Sequence, residues 1–219
     1  MLLSFAMRLW GGGDCDLVAF NLAREQKGQF QTQRLFEYSK NLEFKDFTKE
    51  LIFKELCCWN VANKAFKKEI LIKALKDYTK ENLNLTMAED ALIFFKYCQF
   101  INKINILDKS LYFYRANENS TTSQQNIQAI KQNLKDESLA INKLENILSK
   151  NTNKDYKLFL ATNLCLLKGY HLERLQILYK NQKKSKLHFK YILYKVLKKI
   201  YKAKRYFLLL LYKFNTLNN

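Results

Sequence analysis

Beyond residue 125 the apolar residues recur at helical spacing in three long stretches, at about 126–149, 154–180 and 186–213. Only short Asn-, Lys- and Ser-rich joints part them. The chain has no proline, where typical usage of ~5% would give about eleven, so nothing compels these helices to break. The second half is therefore read as a helical region, 126–219. Low proline and glycine with abundant Lys, Asn, Ile, Phe and Tyr also suit an AT-rich genome, so composition reflects codons as well as fold.

Ahead of it the periodicity changes. Asp16-Leu17-Val18-Ala19-Phe20-Asn21 is a short apolar run that predicts a buried strand. Glu43 to Leu56 has helical spacing, with Phe44, Phe47, Leu51 and Ile52 on one face. Lys68 to Lys76 predicts a second helix. A third opens at Thr86, with Leu92, Ile93, Phe95 and Phe100 as its buried side. Ile104 to Arg115 predicts extended chain with a turn near Asp108-Lys109-Ser110. The expected class is α/β, mainly helical, with a mixed region at 14–125 after a short leader at 1–13.

The net charge of +18 is unevenly placed: from Lys180 to Asn219 there are twelve Lys or Arg and no Asp or Glu. That segment should be drawn to anionic surfaces, either phospholipid headgroups or nucleic acid phosphates. Lys195, Lys198, Lys199 and Lys202 share one helical side, with Leu193, Leu197 and Ile200 on another. Tyr191, Tyr194, Tyr201, Tyr206 and Tyr212 favour a membrane–water boundary. The competing reading is a helix packed on the domain with a solvated lysine face. No recognised nucleic-acid motif accompanies the lysines, which argues against a specific nucleic-acid partner. No apolar run approaches the ~18 residues of a membrane span, and residues 1–10 have no export signal.

Cys15, Cys57, Cys58, Cys98 and Cys165 show no metal-ligand spacing and read as reduced, mostly buried thiols. His171 and His188 lack partner spacing and read as structural or exposed. Thr86-x-x-Glu89 is a capping box, in which Thr86 accepts from the Glu89 amide. Glu89 is thus equally a cap or a functional acid. Asp90 is not needed for the cap, and a helix start favours its charge. Trp59 could stack on a sugar or fill a core.

Taken in order, Asp16 to Asn21, Trp59-Asn60-x-x-x-Lys64, the Glu89-Asp90 pair and Tyr112-x-Tyr114-Arg115 followed by Asn119-Ser120 resemble the acceptor half of bacterial family 2 glycosyltransferases. The closest in pattern are β-1,3-galactosyltransferase-like enzymes of lipooligosaccharide or capsule assembly. The resemblance covers residues 16–123, and more loosely extends to about 150. It implies the C-terminal half of a GT-A, Rossmann-like fold and inverting hexose transfer from a UDP-sugar to a glycan or lipid-linked glycan acceptor. It makes Asp90 the general base, with Glu89 beside it. It places Trp59, Asn60, Lys64, Arg115 and Ser120 at the substrates, with Arg115 facing the leaving diphosphate. It also implies a divalent metal, Mn or Mg, and a cytoplasmic location, peripheral on the inner face of the plasma membrane.

In the family a nucleotide-binding half ending in a metal-binding D-x-D comes first, and these 219 residues contain no match to it. Asp14-Cys15-Asp16 follows three glycines instead of ending an apolar strand, so no metal ligand is assigned. The expectation is a truncated chain that neither holds UDP-sugar nor reacts alone, unless a separate N-terminal half supplies the donor site. Trp10-Gly11-Gly12-Gly13 can be encoded by T followed by an unbroken run of G, a tract prone to slippage and phase variation. The alternative is a non-enzymatic helical protein acting at membrane surfaces through its basic tail.

Overall fold

The computed structural model describes residues 15–26, 28–53, 59–80, 84–115, 126–180 and 185–217. The protein is mixed α/β and mainly helical. It divides into two compact units, Met1–Leu83 with Ile93–Glu118, and Asn84–Leu92 with Asn119–Asn219.

The first unit is built on a mixed sheet around β1 (Leu17–Gln26). Leu17 to Ala23 is buried without alternation, as expected of a strand covered on both faces. β2 (Gln29–Gln33) pairs antiparallel with its far end and β4 (Lys64–Phe66) with its beginning. Gly28, at φ 77, supplies the left-handed turn of the β1–β2 hairpin. On the other side β5 (Lys103–Tyr114) runs parallel to β1 and carries β3 (Lys40–Glu43) antiparallel on its outer edge.

The turn expected near Asp108 is instead a bulge within β5. The register jumps from Phe20↔Leu107 to Asn21↔Ser110 and then to Leu22↔Tyr112. Buried Asn21 explains it. Its Nδ2 donates to the Phe36 carbonyl at 2.8 Å and to Asp108 Oδ1 at 3.0 Å. Its Oδ1 accepts from the amides of Leu35 and Phe36 at 2.7 and 2.8 Å. All four capacities of the amide are used, which bends the ladder without leaving it unsatisfied.

Helix α1 (Phe44–Phe53) buries Phe44, Phe47, Leu51 and Ile52, the face its spacing predicts. Helix α2 (Lys68–Lys80) runs past the expected end at Lys76. Helix α3 (Glu89–Tyr97) starts three residues later than Thr86. Ala91, Leu92, Phe94, Phe95 and Tyr97 are buried, whereas Ile93 is half-buried and Phe100 exposed. Leu92 and Phe95 are buried as the spacing predicts, and burial extends to Ala91, Phe94 and Tyr97 because a helix apolar on nearly every side is an interior one.

The second unit contains α4 (Ile127–Lys150), α5 (Lys154–Lys180) and α6 (Ser185–Leu217). Asn126 caps α4, its side chain accepting from the Gln128 amide. In the α4–α5 joint Asn151 Oδ1 accepts from the Asn153 amide, and Asn153 Oδ1 from that of Tyr156. Such side-chain acceptors satisfy orphan amides at a helix start. Helix α5 packs against both α4 and α6, burying Tyr156, Phe159, Leu160 and Leu164. Among the described residues no helix is long and apolar enough to cross a membrane.

Candidate functional site

The acidic pair Glu89 and Asp90 occupies the first turn of α3. Its entry is held by a long-range contact, not by the predicted capping box. Both the amide and the hydroxyl of Thr86 donate to Asp136 Oδ2 on α4, each at 2.9 Å. A carboxylate oxygen accepting two donors is a stronger partner than one backbone amide reached through a hydroxyl. The chain then passes through Ala88 at φ 63, a conformation costing a non-glycine residue about 1 kcal/mol. The Ala88 carbonyl accepts the Leu92 amide at 3.1 Å, closing the first helical turn.

Both carboxylates of the pair are half-buried. Burial pushes the Glu89 carboxyl above its ordinary 4.5. A hydrogen bond from its own backbone opposes this, and the charges of Asp90 and Asp136 add to the rise. The helix dipole favours the charged form but does not cancel the desolvation. Proton affinity raised in this way is what a general acid or base requires near neutral pH.

One residue beyond Asp136 on α4, Glu137 forms an ionic cluster with α5. Glu137, 2% exposed, faces His171 Nδ1 at 3.1 Å and accepts from Arg174 Nε at 3.0 Å. The Arg174 fork also reaches Met87 Sδ at 3.7 Å, next to Thr86. His171 is thereby a structural partner of Glu137. Sequence reasoning did not find Asp136 or Glu137, since neighbouring acids on a long helix carry no motif.

Trp59, Asn60 and Lys64 fold together. Trp59 meets Phe95 edge-on, with ring centroids 6.1 Å apart. Asn60 Oδ1 accepts from the Ala62 amide at 2.8 Å, an Asx turn. Lys64 Nζ donates to the Asn60 carbonyl and to Asn63 Oδ1 and stands 4.8 Å from the centre of the Phe94 ring. Buried Asn63 exchanges hydrogen bonds with the backbone of Phe20 on β1. The segment is thus anchored to the sheet, with Trp59 against Phe95 and Lys64 over Phe94.

Arg115 follows β5 directly and is exposed. Beside it Tyr112 and Tyr114 lie 6.3 Å apart, and the Arg24 guanidinium sits 5.1 Å from the centre of the Tyr114 ring. Ser120 lies outside the described residues. Glu89 and Asp90 belong to one compact unit, and Trp59, Asn60, Lys64 and Arg115 to the other.

Of Asp14 and Asp16 only the second is described. Asp16 Oδ2 accepts the amides of Asn102 and Lys103 at 2.8 and 3.0 Å, fastening the start of β5. Its carbonyl accepts the hydroxyl of Tyr97, which in turn accepts the Lys67 amide at 2.8 Å. Burial drives the Tyr97 phenol well above its usual range. Among the described residues no three His, Cys, Asp or Glu side chains gather as a metal site. With Asp16 so engaged, the described donors do not fit a resident divalent ion. A groove of about 500 Å³, lined among others by Cys15, Lys40, Glu43, Asp46, Lys103 and Asn105, includes none of the catalytic or substrate residues that the resemblance implies.

No family model, curated protein or solved structure matches this chain.

Proposed function

We propose that this chain is the acceptor-side part of an inverting hexosyltransferase of the family 2, GT-A type. The observation carrying this reading is the presentation of Glu89 and Asp90 at the start of a buried helix, where burial first, and the charges of Asp90 and Asp136 after it, raise the proton affinity of Glu89. Asp90 takes the proton from an acceptor hydroxyl as its oxygen bonds to the anomeric carbon. The bond from that carbon to the diphosphate oxygen breaks on the opposite face, inverting the centre. The departing diphosphate carries away the electron pair, and the planar fork of Arg115 is suited to its charge. Glu89 acts beside Asp90 as a proton-buffering neighbour, and Trp59 offers an aromatic face to the sugar.

In this reading the nucleotide-sugar site lies outside these 219 residues, so the chain alone consumes no UDP-hexose. The test sequences the locus upstream of the Trp10–Gly13 codons, joins to this chain any frame found there that encodes a nucleotide-binding half, and follows UDP release; a locus without such a frame overturns the reading. Activity in the joined protein, falling about 10²- to 10⁴-fold in Asp90→Asn, is the expected result. A joined protein without transfer, or one indifferent to Asp90→Asn, would overturn the reading.

A further inference from the structure

Helix α6 has two opposed apolar faces, and only one is covered. On the first, Tyr194 stacks on Tyr179 with centroids 5.5 Å apart. Lys198 pairs with Glu173 at 2.9 Å, Lys168 stands 5.1 Å from the centre of the Tyr201 ring, and Leu209 is buried. Tyr194, Lys198 and Tyr201 recur every three or four positions and seat the helix on α5. Lys198, which sequence placed among the outer lysines, is therefore used in packing.

On the opposite side Leu193, Val196, Ile200, Phe207, Leu210 and Leu211 are all exposed, Phe207 by 60%. Their spacing puts them in one stripe, about 26 Å long from Leu193 to Leu210 at 1.5 Å per residue. Lys195, Lys199 and Lys202 run along one edge and Lys204 along the other. A continuous exposed apolar stripe of this kind marks an interaction surface.

We propose that this face of α6 lies in the headgroup–acyl boundary of an anionic bilayer, apolar stripe inward and lysines among the lipid phosphates. Charge selects this occupant. The segment from residue 180 to 219 contains no acidic residue, so a second copy packed on the stripe would set lysines against lysines. Nucleic acid would match the lysines but leave the apolar side chains in water. A bilayer of acidic lipid satisfies both. The inference stands apart from the transferase reading, and its test uses no catalytic activity.

The experiment is flotation of the full chain with vesicles of phosphatidylglycerol and, separately, of phosphatidylcholine. Binding to the first alone is expected. The triple variant Leu193→Gln/Ile200→Gln/Phe207→Gln changes only exposed positions, and its helicity is checked by circular dichroism. It should bind phosphatidylglycerol at least about 100-fold more weakly, each apolar side chain contributing a factor on the order of ten, while retaining binding to heparin. As an independent reading, Phe207→Trp should be quenched by lipids brominated on the acyl chains beyond the quenching seen in the parent. Undiminished vesicle binding by the triple variant would show simple polyanion attraction and overturn the proposal. So would a Phe207→Trp probe that bromine does not reach. A dimer abolished by the triple substitution, without vesicle binding by the parent, would make the stripe a self-association surface instead.

Discussion

Thr86 gives both its amide and its hydroxyl to a single oxygen of Asp136, 50 residues away, at 2.9 Å each. That contact sets where helix α3 begins and hence where Glu89 and Asp90 stand. Asp136→Ala strands a backbone donor as well as a side-chain one, so a loss of about 2 kcal/mol is expected in urea unfolding. Thr86→Val should cost less, and the pair should fall short of additivity by about 1 kcal/mol in a double-mutant cycle. Additive losses would mean that the two residues do not act together.

Glu89 is predicted to make stability depend on pH. Its folded proton affinity is raised, chiefly by burial. Its contribution is therefore complete below 4.5, the ordinary value, and is lost as pH rises through the elevated folded value. Glu89→Gln removes this dependence. The urea midpoints of variant and parent should coincide in acid and separate above that point, the variant becoming the more stable. A constant gap at all pH values would contradict the assignment.

The Glu137, His171 and Arg174 cluster distinguishes breaking a buried ion pair from replacing it. Glu137→Ala leaves Arg174 without its carboxylate, and a loss of about 3–5 kcal/mol is expected. The triple change Glu137→Leu/His171→Leu/Arg174→Met removes every member and should stay much nearer the parent. Denaturant unfolding of the two variants makes the comparison.

Asn21 should be as intolerant as a core aromatic. Asn21→Ala leaves the amides of Leu35 and Phe36 without an acceptor, costing about 3 kcal/mol. Hydrogen exchange at those two amides should accelerate selectively. Asn21→Asp restores the acceptors but sets a buried carboxylate beside Asp108, so its penalty should grow with rising pH.

Part of the site could be read residue by residue along the chain. The acidic pair, the Trp59–Lys64 segment and the Tyr112–Arg115 strand end are contiguous patterns; the first falls at the helix start and the last at the strand that local reasoning places there, while Lys64 opens strand β4, which no local signal announced. What holds them was not legible. Asn63 binds the backbone of Phe20, 43 residues earlier, and Asp136 answers Thr86 from another helix. Neither partner differs from any other Asn or Asp until the fold brings it into place.

Local periodicity settled the helices at α4, α5 and α6, the buried face of α1 and the apolar strand β1, because secondary structure follows spacing over a few residues. Tertiary structure decided the rest. It exchanged the capping box at Thr86 for Asp136, and it turned the expected break at Asp108 into a bulge anchored by Asn21. It grouped Asn84–Leu92 with the helices and chose which side of α6 meets α5. Those outcomes depend on competition among distant donors, acceptors and apolar faces, and the energies that decide it exist only once packing has excluded water from around them.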